Sequence, residues 1–286
     1  MRFAKGHGTG NDFVILPDMH GELDLTAEFV AALCDRHFGI GADGVLRVVR
    51  TAALRATLDS TAGAEWFMDY RNSDGSIAEM CGNGIRVFAK YLIDEGLADG
   101  PELKIATRAG TKSVWAEPDG DFTVDMGAAT VLGEGSVDAG GQLLTGLAIS
   151  VGNPHLACLV DQPLSQVDLS APRVLAPAAL ASGANVEVLS VNAGRDVQMR
   201  VHERGSGQTL SCGTGAVASA VAAAVAAGEW PNATSERWVV RVPGGKLAVT
   251  PDVTTSLLAG PAEIVASGDL SASWLDARSP VRLGTS

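Results

Sequence analysis

The sequence predicts an α/β chain of the α+β type, built as two related halves. Three observations predict it. The unit Cys81-Gly82-Asn83-Gly84 opens an apolar helical run and returns as Cys212-Gly213-Thr214-Gly215, which opens another. Short matches around the two units keep the same order in both halves, as internal repeats do. Most of what separates them reads as short β-branched strands between glycine turns.

The first helix carries Ile85, Val87, Phe88, Ala89, Leu92 and Ile93 at amphipathic spacing, leaving Arg86, Lys90 and Asp94 for other faces. The second runs from Ala216 to Ala227 in Ala and Val, broken only by Ser219, and stops at Gly228. A helix apolar on every side is a buried one, and this one is too short to cross a bilayer. Arg71-Asn72 and His202-Glu203 each begin ten residues before their cysteine. Gly10-Asn11-Asp12 resembles Gly152-Asn153-Pro154, and Gly41-Ala42-Asp43 resembles Gly183-Ala184-Asn185. The expectation is two halves facing each other across a cleft, 1–125 and 126–260, with 277–286 a frayed tail.

A cysteine at a helix amino end meets free N–H groups and about half a positive charge. Both favour thiolate over thiol, and the same N–H groups can hold a carboxylate. Two such ends could fix one carboxylate and present sulfur to both faces of the carbon beside it. That suits proton removal on one face and return on the other, with one thiolate as base and one thiol as acid.

Composition bounds the rest. At 286 residues, two ordinary domains are natural, and 46% apolar residues supply their cores. A net charge of −12 disfavours nucleic acid as a partner. The start MRFAKGHGTG lacks an apolar signal region and no stretch reaches membrane-spanning length, so cytoplasm is the default and no membrane is expected. Four cysteines make no disulfide framework, and no spacing suggests a metal site. Cys34 and Cys158, in apolar surroundings, read as packing residues.

In chain order, Phe3 begins a strand ending in the turn Gly6–Asp12, and Phe13–Leu16 is the next. Asp24 or Thr26 could cap a helix through Phe29, Val30 and Leu33 toward His37. Gly39–Gly44 turns into the strand Val45–Val49; residues 52–64 read as a loop or hairpin tip. Trp66–Tyr70 is a strand with the turn Asn72–Gly75. After the first core helix, strands lie around Leu103–Thr107, Thr111–Ala116 and Phe122–Met126. Gly127–Gly141 reads as the crossover between halves. Leu147–Val151 leads through Gly152–His155 to the strand Leu156–Val160, and Pro163–Ala184 reads as a helix with loops. Strands Val186–Val191 and Val197–Val201 precede the glycine-rich loop His202–Gly207. Beyond the buried helix come Trp238–Val242, Lys246–Thr250 and Ser256–Leu258.

HGTGNDFVIL (7–16), YRNSDGSIAEMCGNGIRVFAKYL (70–92), SVGNPHLACLV (150–160) and MRVHERGSGQTLSCGTGA (199–216) together resemble the diaminopimelate epimerase family. Their order and spacing match over nearly the whole chain. The resemblance implies two pseudo-symmetric domains, each a curved mixed sheet wrapped round a central helix, with the active site in the cleft between them and with 261–276 returning to join 1–125. It implies interconversion of LL- and meso-2,6-diaminopimelate for lysine and peptidoglycan precursors, with no cofactor (neither pyridoxal phosphate nor metal), and a homodimer. By the same resemblance Cys81 and Cys212 are catalytic, and His155 and Glu203 lie beside the thiols to tune them. Gly82, Asn83, Gly213 and Thr214 hold the reacting carboxylate, and Arg204 grips the distal one. Asn72, Asn153 and Asn185 assist there, while Asn11 and Glu203 lie nearer the amines of this small diamino dicarboxylate. Where many relatives place Gln after the Asp of the Gly39–Gly44 loop, this chain has Gly44, so that side-chain contact is absent.

Other readings stay open on the residues alone. A proline racemase-like enzyme also uses two cysteines but has little need of Arg204 and its circle of Asn. A dithiol oxidoreductase would pass electrons through Cys81 and Cys212 without isotope exchange at carbon. A silent amino-acid-binding module would use the same contacts; replacement of either cysteine that leaves affinity intact while abolishing isotope exchange would separate catalysis from binding.

Overall fold

The computed structural model describes residues 1–54, 63–177, 180–181, 183–231 and 236–278. The chain divides into two compact units, one made of Met1–Val124 with Pro261–Ser286, the other of Asp125–Gly260.

In the first unit β1 (Arg2–Gly8), β2 (Asn11–Pro17), β3 (Gly44–Arg50), β4 (Trp66–Asn72), β5 (Glu102–Thr107), β6 (Gly110–Ala116), β7 (Phe122–Gly127) and β18 (Glu263–Asp269) surround α2 (Gly82–Asp94). Neighbours run β18–β1–β2–β3–β4–β5–β6–β7, and only β2–β3 and β4–β5 are parallel. The second unit holds β8 (Thr130–Ala139), β9 (Gln142–Ser150), β10 (Pro154–Leu159), β12 (Asn185–Asn192), β13 (Asp196–Glu203), β15 (Trp238–Val242), β16 (Gly245–Thr250) and β17 (Ser256–Gly260) round α3 (Gly213–Ala226). Its order is β8–β9–β10–β12–β13–β15–β16–β17, with β10–β12 and β13–β15 the parallel pairs. The two orders are the same, sense for sense. In each unit the strands curve round one helix: α2 packs on β1 to β6 and β18, α3 on β9, β10, β12, β13, β15, β16 and β17. Small additions are β11 (Arg173–Ala176) on β8 and β14 (Gly207–Thr209) on β13. On the outside of the first unit lie α1 (Ala27–Cys34), capped by Thr26 Oγ1, and the short α4 (Ala272–Asp276).

The register aligns the repeats residue by residue. Phe13 sits opposite Gly44 in the β2–β3 pair, as His155 sits opposite Asn185 in β10–β12. Asn185 thus corresponds to Gly44, one place beyond the match with Asp43 that the sequence suggests, and Glu187 corresponds to Leu46.

Several expectations need correcting. The turn after β1 is two residues, Thr9 and Gly10, with φ of 52° and 81°, because the glycines before it lie in the strand. Such a pair matches the twist of a hairpin. Helix α1 ends at Cys34, short of His37, because Asp35 Oδ1 accepts from the backbone N–H of His37 and Phe38 and closes a turn. Residues 127–141 are no crossover loop: Thr130–Ala139 is β8, paired with β9 along its length. Among the described residues of 163–184 there is no α-helix. Pro163, Pro172 and Pro177 interrupt a stretch that forms a 3₁₀ turn at Leu164–Gln166 and β11. The expected loop His202–Gly207 tightens to Arg204–Ser206, since β13 runs through Glu203. Thr51–Ala53 form a 3₁₀ turn; the rest of the expected loop at 55–62, and the expected tail at 279–286, lie outside the described residues. Arg86, left by its spacing for a face other than the apolar one, is fully buried.

Cys34 and Cys158 are buried in separate apolar clusters, where burial pushes each thiol up to about 12. Helix α3 is enclosed from Ala216 to Ala224. Among the described residues no helix is long and apolar enough to cross a membrane.

Candidate active site

Both cysteines are helix N-caps. Cys81, with φ −141° and ψ 120°, precedes α2, and its Sγ accepts from the Gly84 N–H at 3.3 Å. Cys212, with φ −130° and ψ 121°, precedes α3, and its Sγ accepts from the Gly215 N–H at 3.4 Å. An N-cap is ordinarily a Ser, Thr, Asp or Asn oxygen. Here sulfur takes that place twice, in the field of the helix amino end.

Around Cys81 the polar groups form a chain. Asn11 Oδ1 lies 3.7 Å from Cys81 Sγ and accepts from Asn83 Nδ2 at 3.3 Å. Asn11 Nδ2 donates to Asp43 Oδ2 at 2.8 Å. Asn83 Oδ1 accepts from Arg86 at 3.1 Å, and the same guanidinium donates to Gly82 O, Thr9 Oγ1 and Pro261 O. Burial pulls Arg86 down to about 10, against the opposing influence of Cys81 and Asp121. Asn72 ends β4, and its Nδ2 donates to Ser76 Oγ, which closes its own turn.

A second cluster surrounds Cys212. Thr214 Oγ1 is 3.5 Å from Cys212 Sγ and accepts from Asn153 Nδ2 at 3.3 Å. Asn153 Oδ1 faces His155 Nε2 at 3.0 Å, and His155 Nδ1 faces Glu187 Oε1 at 2.7 Å. Glu203 Oε1 accepts from Thr209 Oγ1 at 2.5 Å. Burial raises the Glu203 carboxyl, as does Glu187; contacts with Thr209, Cys212 and His155 oppose it. Burial, then Glu203 and Glu187, push the Cys212 thiol well above its ordinary value, while Thr214 and the Gly215 N–H draw it back. The Arg204 backbone N–H donates to Asn185 Oδ1 at 2.9 Å, and the exposed guanidinium reaches Gly183 O at 3.4 Å. Gly213 is the first residue of α3, as Gly82 is of α2.

Thus Asn11, Gly82, Asn83 and Cys81 gather in the first unit. Asn153, His155, Glu203, Gly213, Thr214 and Cys212 gather in the second, with Asn185 at the start of β12 held to Arg204 on the turn after β13. Three residues escaped the sequence reading: Asp43, Arg86 and Glu187. Glu187 did leave a signal, a lone carboxylate inside Val186-Glu187-Val188-Leu189, a strand buried on both faces. Arg86 and Asp43 left none, since charged residues in a helix or after a glycine turn are ordinary surface. Among the described residues no group of three or more His, Cys, Asp or Glu side chains is placed to hold a metal ion.

A family model described as diaminopimelate epimerase matches residues 3–132 and 147–265. Diaminopimelate epimerase of Thermobifida fusca (strain YX) is 56% identical over 279 residues, covering 96% of this chain and 100% of that protein. Its counterpart from Mycobacterium avium (strain 104) is 51% identical over 293 residues, covering 96% and 98%. Among solved structures, a PhzF-family phenazine biosynthesis protein from Bacillus anthracis superposes with a TM-score of 0.70 at 16% identity, covering 95% of this chain and 99% of that one. A probable proline racemase from Agrobacterium radiobacter K84 gives 0.68 at 13%, covering 95% and 93%. At such identities the last two share the fold.

Proposed function

The chain belongs to the diaminopimelate epimerase family, and on that premise we propose that Cys81 and Cys212 are the paired acid and base of a cofactor-independent epimerase. It is an amino-acid epimerase, an isomerase. The substrate is 2,6-diaminopimelate, interconverted between its LL and meso forms for lysine and peptidoglycan synthesis.

The observation that carries this reading is the repeated cap, a sulfur accepting a glycine N–H at the amino end of a buried helix in each half. One thiolate takes the α-proton. The electron pair left on carbon is delocalised into the α-carboxylate, which the N–H groups of Gly82–Asn83 and Gly213–Thr214 hold. The opposite thiol then returns a proton to the other face. Fixed donors of this kind are each worth on the order of 10²–10³ in rate. Arg204, with Asn72, Asn153 and Asn185, takes the distal carboxylate through its planar fork. Asn11 and Glu203 receive the amines, and His155 with Glu203 adjusts which sulfur is ionised. An α-proton is far less acidic than a thiol, so the pocket must exclude water and hold the proton in line. The protein acts in the cytoplasm as a homodimer.

The test is incubation with LL-diaminopimelate in deuterated water, following label at one α-carbon as the meso form appears. Replacing Cys81 or Cys212 by Ala should abolish net epimerisation while leaving substrate affinity within a few fold. Full turnover by either variant would refute the two-base scheme. Turnover of proline but not diaminopimelate would refute the substrate.

A further inference from the structure

Glu187 and His155 are both fully buried, and neither the fold nor the proposed chemistry requires the carboxylate. Glu187 Oε1 meets His155 Nδ1, while Oε2 has no hydrogen-bond partner among the described residues. A buried carboxylate with one oxygen unsatisfied is a poor way to build a core. The repeat supplies the control. Phe13 and Leu46 occupy the corresponding register positions in the first unit, and both are fully buried. A Cβ on Gly84 would touch Leu46 and Phe13, as one on Gly215 would touch Glu187. The same fold therefore closes over an apolar pair, and the second unit carries a hydrogen-bonded pair in its place.

The pair is wired to a thiol. From Glu187 the contacts run His155, Asn153, Thr214 and Cys212, at 2.7, 3.0, 3.3 and 3.5 Å. An ionised carboxylate only accepts, so it faces Nδ1–H; Asn153 Oδ1 also accepts, so it faces Nε2–H. Asn153 Nδ2 then donates to Thr214 Oγ1, which leaves the hydroxyl proton to point at Cys212 Sγ. From His155 Nε2–H onward, every donor in the chain is directed toward the sulfur.

We propose that Glu187 is a positioning residue: its carboxylate keeps both nitrogens of His155 protonated, and the chain through Asn153 and Thr214 delivers that polarity to Cys212 as a hydrogen bond that favours the thiolate. The proposal rests on the two-thiol reading above. The ionisable groups facing this chain are Glu203 and His155 beside Cys212, and Cys158 beside Glu187.

Sign separates this role from a mere neighbouring charge. A carboxylate acting only through space disfavours the Cys212 thiolate, so its removal would shift thiol ionisation to lower pH. Loss of the directed hydroxyl shifts it to higher pH. The measurement is the pH dependence of Cys212 alkylation by iodoacetamide, located by mass spectrometry in a Cys81→Ser background. It is paired with kcat and KM for diaminopimelate on the otherwise unaltered chain. Glu187→Gln should raise the alkylation midpoint by about one pH unit and lower kcat about tenfold or more with KM within about twofold; Glu187→Asp should recover most of both. His155→Phe/Glu187→Leu, which installs the pair of the first unit, should fold with a Tm no lower than the parent and show the same raised midpoint. A midpoint that falls or stays, an effect on KM alone, or a double variant that loses stability would overturn the proposal. Failure of the unaltered chain to epimerise diaminopimelate would overturn the two-thiol reading instead.

Discussion

Gly84 and Gly215 hold the same position in the first turns of α2 and α3, yet alanine should behave differently at the two sites. Neither has the left-handed backbone that would exclude a side chain, so the question is what the new methyl group meets. At Gly84 it meets Leu46 Cδ2 at 3.3 Å, Cys81 Cβ at 3.4 Å and Phe13 Cζ at 3.4 Å, two of them ends of side chains that can yield a few tenths of an ångström. At Gly215 it meets Glu187 Oε1 at 2.6 Å, with Cys212 Cβ and Glu187 Cδ at 3.3 Å. The contact with the cap residue's Cβ is common to both and cancels in the comparison. What remains is an apolar neighbour that gives way against a buried carboxylate held by His155.

Alanine in a helix gains up to about 1 kcal/mol over glycine. At Gly84 that gain and the mild crowding roughly offset, leaving stability within about 1 kcal/mol of the parent. At Gly215 the carboxylate must move away from the methyl group, which strains or breaks its 2.7 Å contact with His155. A hydrogen bond to a charged group is worth about 1.5–3 kcal/mol, and a buried charge left without its partner costs about 3–5 kcal/mol. After the helix gain, Gly215→Ala should lose from about 0.5 kcal/mol if the contact is only strained to about 4 kcal/mol if it is broken. Urea unfolding of parent and both variants, followed by circular dichroism, measures the difference through the midpoints if the slopes agree. Equal stability of the two variants, or a more stable Gly215→Ala, would show that Glu187 is not held where the reasoning needs it.

Other perturbations follow from the same contacts. Burial raises the Asp12 carboxyl, but hydrogen bonds from Arg36 and Lys5 outweigh that and draw it down to about 2. Its folded value lies below the unfolded one, so the stability it supplies is present above about pH 4 and lost as pH falls toward 2. Arg36 is half exposed, so the amount is about 1–2 kcal/mol after screening. Asp12→Asn should flatten the acid limb of stability against pH, and an unchanged limb would contradict the assignment. Arg204→Lys replaces a planar fork by a point charge and should raise KM about tenfold or more with kcat within about threefold; a loss confined to kcat would move Arg204 out of the distal site. Thr26→Ala removes the cap of α1, whose Oγ1 accepts from the Phe29 N–H at 3.2 Å, and should cost about 1 kcal/mol in thermal or urea unfolding.

What could be read from the sequence was whatever a local rule governs. Cysteine, glycine and an apolar run locate both helix starts, because a cap and a helical period are properties of adjacent residues. Gly228 ends α3 by the same logic, with φ 71°. Elements that depend on distant partners were hidden. Gly6 and Gly8 suggest a loop, yet they lie in β1 because β2 and β18 pair with it on either side. Gly133 and Gly135 similarly mask β8, whose first half is largely exposed and shows no alternation until Gly135. Arg86 could not be placed because two of the acceptors that satisfy it, Thr9 and Pro261, are far away in sequence. The carboxylate of Glu187 could be suspected from its apolar neighbours, but its partner His155 lies on another strand.

The divergence of the repeats bears directly on the chemistry. Both sulfurs cap helices with nearly the same geometry, 3.3 and 3.4 Å from equivalent N–H groups, so the cap cannot tell them apart. A two-base inversion nevertheless needs one proton donor and one acceptor at the same moment. Two thiols or two thiolates cannot begin the reaction, and identical surroundings would leave a single shared proton with no preference for either sulfur. The difference lies one layer beneath the caps. Five residues past Cys81 stands Arg86, a buried cation among neutral oxygens; five past Cys212 stands Val217, buried and apolar. Beneath the first turns lie Phe13 and Leu46 in one unit, His155 and Glu187 in the other. Asn11 offers an acceptor to Cys81, while Thr214 stands ready to donate to Cys212. The duplication supplies two sulfurs on two buried helices, and the few buried positions where the copies differ make those sulfurs unequal before any substrate arrives.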